Sequence, residues 1–218
     1  MSSSIAAAEL ELRVLDLKGR AIPSVAAILY DAPPPVSSSG ERSAGNDRIE
    51  IDQVDERFTP STSIVAQDSR VWFPNSDNVR HHVYSFSRAK PFELTLYHAN
   101  DAPPVVFDKT GVVLLGCNIH DSMRAAVVVT DQAVYGVTDE AGQLSLQHGA
   151  TAAAQLTIGL WHEQLGSEEP LKFELDLSGS GDDPLTLTLP INWKPSAPES
   201  ISDLKSRLQG FRKGSPQQ

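Results

Sequence analysis

Apolar and polar residues alternate over Glu9–Leu17 (ELELRVLDL), with Leu10, Leu12 and Val14 on one face. A period of two predicts a strand with one side buried. Lys18-Gly19-Arg20 turns the chain, and Ser24–Tyr30 predicts a second strand. Residues 32–47, dense in Pro, Ser and Gly, predict a linker. From Arg48 the pattern is short strands cut by turns: Arg48–Val54, Ser63–Ala66, Ser69–Phe73, His81–Phe86, Phe92–Leu96, Val105–Phe107, Gly111–Leu115 and Ala125–Thr130. Nothing in 48–131 sustains a helical period over three turns, so this stretch predicts a β-sandwich or barrel. Strands continue at Val134–Thr138, Gln143–Leu146, Ala154–Trp161, Leu171–Leu177 and Leu185–Leu189. In the tail, residues 194–218, Ile201, Leu204, Leu208 and Phe211 fall near one face of a short helix, to which no function is assigned.

The chain is therefore expected to be all-β. Two strands before the linker are too few to bury a core, so they need partners elsewhere. The pattern V-x-D-x-x-G-x-x-I-P-x-x-A at Val14–Ala26, with TDEAGQLSL at Thr138–Leu146, resembles the transthyretin-like, carboxypeptidase-regulatory-like sandwich. In that family the first motif opens the domain and the second continues the same sheet; here 48–131 lies between them. The resemblance implies a second small sandwich built from 9–31 and 132–193, with 48–131 inserted as a complete domain. The alternative is two sandwiches in tandem, the N-terminal strands joining the first.

Charge narrows the partners. The 218 residues carry 28 acidic and 18 basic side chains, a net charge of −10. Most of the excess is late: 48–131 carries −3 and 132–195 carries −7. An acidic chain without a basic stripe is a poor nucleic-acid binder, because phosphate neutralisation supplies most of that affinity. No apolar run approaches the roughly 20 residues of a membrane-spanning helix. Met1–Ala8 (MSSSIAAA) has neither the basic n-region nor the apolar stretch of a secretory signal, although Ala6 and Ala8 have the spacing of a cleavage site. The preferred reading of these eight residues is an ordinary N-terminus; the other is the end of a longer signal peptide.

The chemistry centres on the one cysteine, Cys117, which excludes an internal disulfide and a four-thiolate zinc site. Gly116–Met123 reads GCNIHDSM, directly after an apolar strand, and Met123 is the only methionine besides the first residue. A thiolate, an imidazole three residues on and a thioether three further are what mononuclear type 1 copper takes. A second imidazole is needed from elsewhere. His81 or His82, in NSDNVRHHVYSF at Asn75–Phe86, lies about 36 residues upstream at the start of a strand. A lone cysteine is usually a small buried hydrophobe; the conjunction of these residues in an all-β stretch is what favours a metal.

A first His at a strand start, then Cys-x-x-His-x-x-Met after the penultimate strand, resembles the cupredoxins, with the short ligand loop of amicyanin-type members. The longer strings FPNSDNVRHHVYSFSRAKPFELTLY, VVFDKTGVVLLGCNIHDSM and TDEAGQLSL resemble plastocyanin-like proteins of the methylamine utilisation type. The resemblance implies a Greek-key sandwich over 48–131 holding one copper. Cys117 would be the thiolate ligand, His120 the more exposed imidazole and Met123 the axial thioether. Cupredoxins commonly carry His-Asn at the first ligand, which makes His81 the ligand and puts His82 in the Asn place. Strand alternation argues the other way, since His82, Tyr84 and Phe86 form the bulkier face; His81 is preferred and His82 stays open.

The implied function is a one-electron carrier with a transient redox protein partner in the periplasm. Electrons would pass the edge of His120, with Asp121, Ser122 and Arg124 bordering the docking surface. A copper-delivery protein, or a structural sandwich with a vestigial site, is the alternative. No catalytic motif is present, neither HExxH nor a Gly-rich phosphate loop before a helix, and no enzyme is expected. His98 and His148 are expected in exposed turns, and His162 half-buried.

Overall fold

The computed structural model describes residues 8–34, 48–99, 102–149, 155–176 and 184–195. Strands β1 (Ala8–Leu15) and β2 (Ala26–Tyr30) come first. Next are β3 (Ile49–Glu50), β4 (Asp52–Val54), β5 (Arg57–Thr59), β6 (Thr62–Ala66), β7 (Ser69–Trp72) and β8 (His81–Ser85). Then follow β9 (Phe92–Tyr97), β10 (Val105–Phe107), β11 (Gly111–Cys117) and β12 (Arg124–Thr130). The last are β13 (Val134–Val137), β14 (Gln143–His148), β15 (Gln155–Trp161), β16 (Leu171–Asp176) and β17 (Leu185–Thr188). Among the described residues the only helix is a single 3₁₀ turn, Glu163–Leu165. The chain is all-β.

The N-terminal strands find their partners far along the chain. β1 pairs antiparallel with β14 and parallel with β17, while β2 lies between β13 and β15, and β16 completes that sheet. Leu10, Leu12 and Val14 of β1 enter one core with Ala27, Leu29, Ile158 and Leu160. Two aspartate turns shape this part. Asp16 accepts hydrogen bonds from the Lys18 and Arg20 backbone N–H groups, and Asp139 accepts those of Ala141 and Gln143.

Residues 49–130 form a five-stranded sheet in the order β6-β12-β11-β8-β9, a three-stranded sheet β10-β7-β3 and the hairpin β4-β5. Their core collects Ile51, Phe73, Val83, Phe107, Val113 and Val127, and it includes Cys117 and Met123. β12 reads RAAVVVT with no polar alternation because both faces are covered. Ala125, Val127 and Val129 face this core. Ala126 and Val128 instead meet Ala26 and Ile28 of β2, Val112 and Trp161 in a third cluster that joins the two sheets.

Several strands differ from expectation. Arg48–Val54 is not one strand: β3 pairs with β7, and β4 turns back as a hairpin with β5. Three residues of β5 are too few for a period to show in sequence. β11 runs through Gly116 to Cys117, so the cysteine lies on the strand and not beyond it. The expected C-terminal helix and most of the 32–47 linker lie outside the described residues.

Two histidines also differ. His148, expected in an exposed turn, is the buried last residue of β14, opposite Ala8. The ladder with β1 extends the strand past the point where Gly149 suggested a turn. His162 is buried, not half-buried. Its Nδ1 accepts the Gln164 N–H at 3.1 Å and so caps the 3₁₀ turn.

Burial pushes the His162 imidazole down to about 4. The unfolded chain therefore binds this proton first as pH falls. The group's contribution is complete above about pH 6.5 and is lost toward pH 4, by up to about 3 kcal/mol. Chemical denaturation of wild type and His162→Asn, whose side-chain oxygen can keep the cap, checks this. The stability difference between them should shift in favour of the variant as pH falls through that window.

Candidate metal centre

Pairing in the five-stranded sheet builds the site. On β8 the burial pattern alternates, with His81, Val83 and Ser85 inside and His82 and Tyr84 half-buried on the other face. β11 runs antiparallel to β8 and sets Cys117 opposite Val83 and Gly116 opposite Tyr84. A side chain at Gly116 would place its Cβ 2.8 Å from the Tyr84 ring, so a residue without one lets the tyrosine lie across β11. A bulge in the β8–β9 ladder between His81 and Val83 brings His81 opposite Tyr97.

The loop from Cys117 to Arg124 then folds back. Cys117 N–H donates to Met123 O at 3.2 Å, and Met123 N–H donates to His120 O at 3.0 Å. Asn118 N–H donates to His82 O, pinning the loop to β8. The result brings three donor atoms together. Cys117 Sγ lies 3.8 Å from His81 Nδ1 and 3.9 Å from His120 Nδ1, and the two Nδ1 atoms are 3.2 Å apart. His81 and Cys117 are buried, while the His120 side chain keeps 22% of its surface exposed. Met123 is buried beside Cys117 in the same core.

The triangle fits one metal ion. Bonds of about 2.0–2.1 Å to nitrogen and 2.3 Å to sulfur, opened to roughly 105–120°, give N···S edges near 3.8 Å and an N···N edge near 3.3 Å. The protonation pattern agrees. His81 Nε2 lies 2.7 Å from Asp77 Oδ2, and an ionised carboxylate only accepts, so the proton sits on Nε2 and the Nδ1 lone pair faces the cysteine. Asp77 stays ionised: burial pushes its carboxyl up, but the Glu56 N–H, His81 and the Asp55 N–H together hold it below the usual range.

His82 is held elsewhere. Its Nε2 sits 2.8 Å from Glu93 Oε1, without the alignment of a hydrogen bond, and its ring meets Tyr84 edge-on at 6.1 Å. The bulk of the His82, Tyr84, Phe86 face pointed the wrong way as a guide to burial. That face is the outer one, and Phe86 is 85% exposed. Asp121 and Ser122 border His120 in the loop, and Arg124 Nε donates to Asp121 O at 3.4 Å.

Sequence reading missed Asp77 and the brace around it. Asn75 Nδ2 donates to Val79 O and Tyr97 O, and Asn75 Oδ1 accepts the Asp77 N–H. This Asn ties the first-histidine loop to β9. The only available signal was the Asn-x-Asp spacing four residues before His81, which by itself reads as an ordinary turn.

No family model matches the chain, and no curated protein matches it. Solved structures do. The purple cupredoxin from Nitrosopumilus maritimus is 20% identical and matches 38% of this chain and 99% of its own, with a TM-score of 0.34. Amicyanin from Paracoccus versutus is 16% identical over 40% of this chain and 86% of its own, with a TM-score of 0.34. The copper-containing nitrite reductase of Thermus scotoductus is 19% identical over 43% of this chain and 25% of its own, with a TM-score of 0.37. The similarity covers less than half of the chain in each case.

Separate alanine substitutions distinguish the two adjacent imidazoles. His81→Ala should weaken Cu(II) binding by more than about 100-fold, beyond the usual effect of losing an outer-shell partner. His82→Ala should leave it within a few-fold of wild type by competitive chelator titration. The reverse result would move the site to the other face of β8.

Proposed function

We propose that the protein is a type 1 copper protein that carries single electrons. The observation that carries this reading is the triangle of His81 Nδ1, Cys117 Sγ and His120 Nδ1, with edges matched to one small metal ion. The donor set is the second support: a thiolate with two imidazoles suits copper, and a weak axial thioether completes the type 1 set. Met123, buried in the same core, is the residue that would supply the thioether. Copper, when bound, supplies exchange between Cu(I) and Cu(II). If all four donors come from the protein, no position would stay open for substrate, which favours a carrier over an enzyme.

The rest of the chemistry belongs to the chain. His81 and Cys117 are fixed on neighbouring strands and buried, which would limit rearrangement of the donors between oxidation states. That rigidity suits electron transfer better than metal delivery, which needs donors that open. His120 is the one donor at the surface, and its edge is the route we assign to the electron. Asp121, Ser122 and Arg124 would border the docking surface of a redox protein partner. The strongly acidic segment 132–195 would steer a basic partner, an attraction that fades with salt.

We further assign 48–131 as the copper domain, inserted into a second sandwich of 9–31 and 132–193. The β1 and β2 pairings and the separate cores support that division. A periplasmic location and a methylamine connection remain parts of the same proposal, carried by the sequence resemblance.

Titration of the reduced, copper-free protein with Cu(II), followed by visible absorption and electron paramagnetic resonance, tests the reading. An intense thiolate-to-copper band should saturate at one copper per chain and be absent in Cys117→Ala. No band, with Cys117 still titrating as a free thiol, would overturn it.

A further inference from the structure

We propose that Asp77 and the β4–β5 hairpin form a carboxylate brace on the outer nitrogens of both imidazoles, which fixes the tautomer of His81 and favours the oxidised form of the copper couple. The second half of this inference rests on the copper reading above.

Asp77 is a nearly buried acceptor holding three donors. Its Oδ2 meets His81 Nε2 at 2.7 Å and takes the Glu56 N–H at 3.0 Å, and its Oδ1 takes the Asp55 N–H at 2.7 Å. Asp55 and Glu56 are the two turn residues between β4 and β5, with φ of +52° and +56°. Such a turn ordinarily takes Asn-Gly or Asp-Gly, because both positions are left-handed. A glutamate there is strained, and strain of this kind persists where surrounding contacts fix it. The Asp77 carboxylate supplies those contacts. Asp52 adds a second tie from β4 to the same loop, accepting from Ser76 Oγ at 2.7 Å and from Ser76 N–H at 3.2 Å.

The strained position also places Glu56 Oε1 3.7 Å from His120 Nε2. Both imidazoles of the site thus have their Nδ1 atoms toward Cys117, with a carboxylate hydrogen-bonded to Nε2 of His81 and a second one near, but not hydrogen-bonded to, Nε2 of His120. One short hairpin, missed by any periodicity, links the two outer contacts.

The electrostatic consequence has a definite sign. Negative charge beside a ligand stabilises the more positive metal state and raises the ligand's basicity. Asp77, with its side chain 12% exposed, acts where screening is weak. Glu56, at 57%, acts through solvent and loses its effect in salt. The two carboxylates should therefore be unequal, Asp77 the stronger.

Two readouts test this. Nitrogen-15 NMR of the copper-free wild type should show His81 as a single Nε2–H tautomer, and Asp77→Ala should mix the tautomers. In the copper-loaded protein, Asp77→Asn should lower the preference for Cu(II) over Cu(I) by about tenfold, equal to about 59 mV for a one-electron couple. Glu56→Gln should lower it by about two- to threefold at low ionic strength and not at all in high salt. Glu174→Gln, on β16, is the charge control and should change nothing.

A mixed His81 tautomer in wild type would overturn the brace. A potential of Asp77→Asn within twofold of the control would overturn its electrostatic role. If wild type forms no thiolate–copper band, the copper reading falls and takes the electrostatic role with it. The tautomer measurement still decides the brace.

Discussion

The parity of one short strand governs the site. Along β8 successive side chains point to opposite faces, so the backbone that buries His81 must turn His82 outward. The register of β8 against β11 sets Cys117 beside the inward face, opposite Val83. A slip of one residue would exchange the two imidazoles and leave the Cys117 sulfur without its nearest nitrogen. That register is held by Gly116 under the Tyr84 ring, by the Asn118 N–H to His82 O bond and by the bulge opposite His81. Each of these would be lost by the slip.

The rigidity behind that strand comes from double burial. β12 and β2 each present apolar residues on both faces, and they meet through Ala126, Val128, Ala26 and Ile28. A sheet covered on both sides has little freedom to relax, because protein interiors are close-packed and resist small displacements. β12 is joined to β11 along six residue pairs, from Gly111 to Gly116, and the Cys117–Arg124 loop closes directly over that ladder. The donor on β11 and the loop donor His120 are thus mounted beside a strand buried on both faces.

The charges around the donors follow from the same construction. His81 is protonated at its outer nitrogen because Asp77 can only accept, and Asp77 stays ionised because two backbone N–H groups hold it. The hydrogen bonds outweigh a burial that would otherwise neutralise the carboxyl. The loop before β8 does more than connect strands: it sets the direction in which a histidine lone pair points. Such an outer partner acts through the ligand it orients, without touching a metal itself.

Much of this was legible along the chain. Alternation at Glu9–Leu17 and the unbroken run in β12 are local consequences of one-sided and two-sided burial, so the all-β character could be read without coordinates. Cys117 ends β11, and His120 and Met123 lie in the loop that follows it, so their close spacing carried the chemistry as well. The choice between His81 and His82 could not be settled in this way. Residue bulk suggested one face, the family pattern suggested the other, and side-chain direction depends on pairing with β11 and β9. Asp77 and Glu56 were invisible for the same reason, since a turn carboxylate acquires its role only when a separate hairpin folds against it. Sequence determined which donors exist and the strand period that carries them, because both are local properties of the chain. The tertiary structure alone decided which imidazole meets the Cys117 sulfur and which carboxylates stand behind it, because those contacts join strands whose register is set by packing.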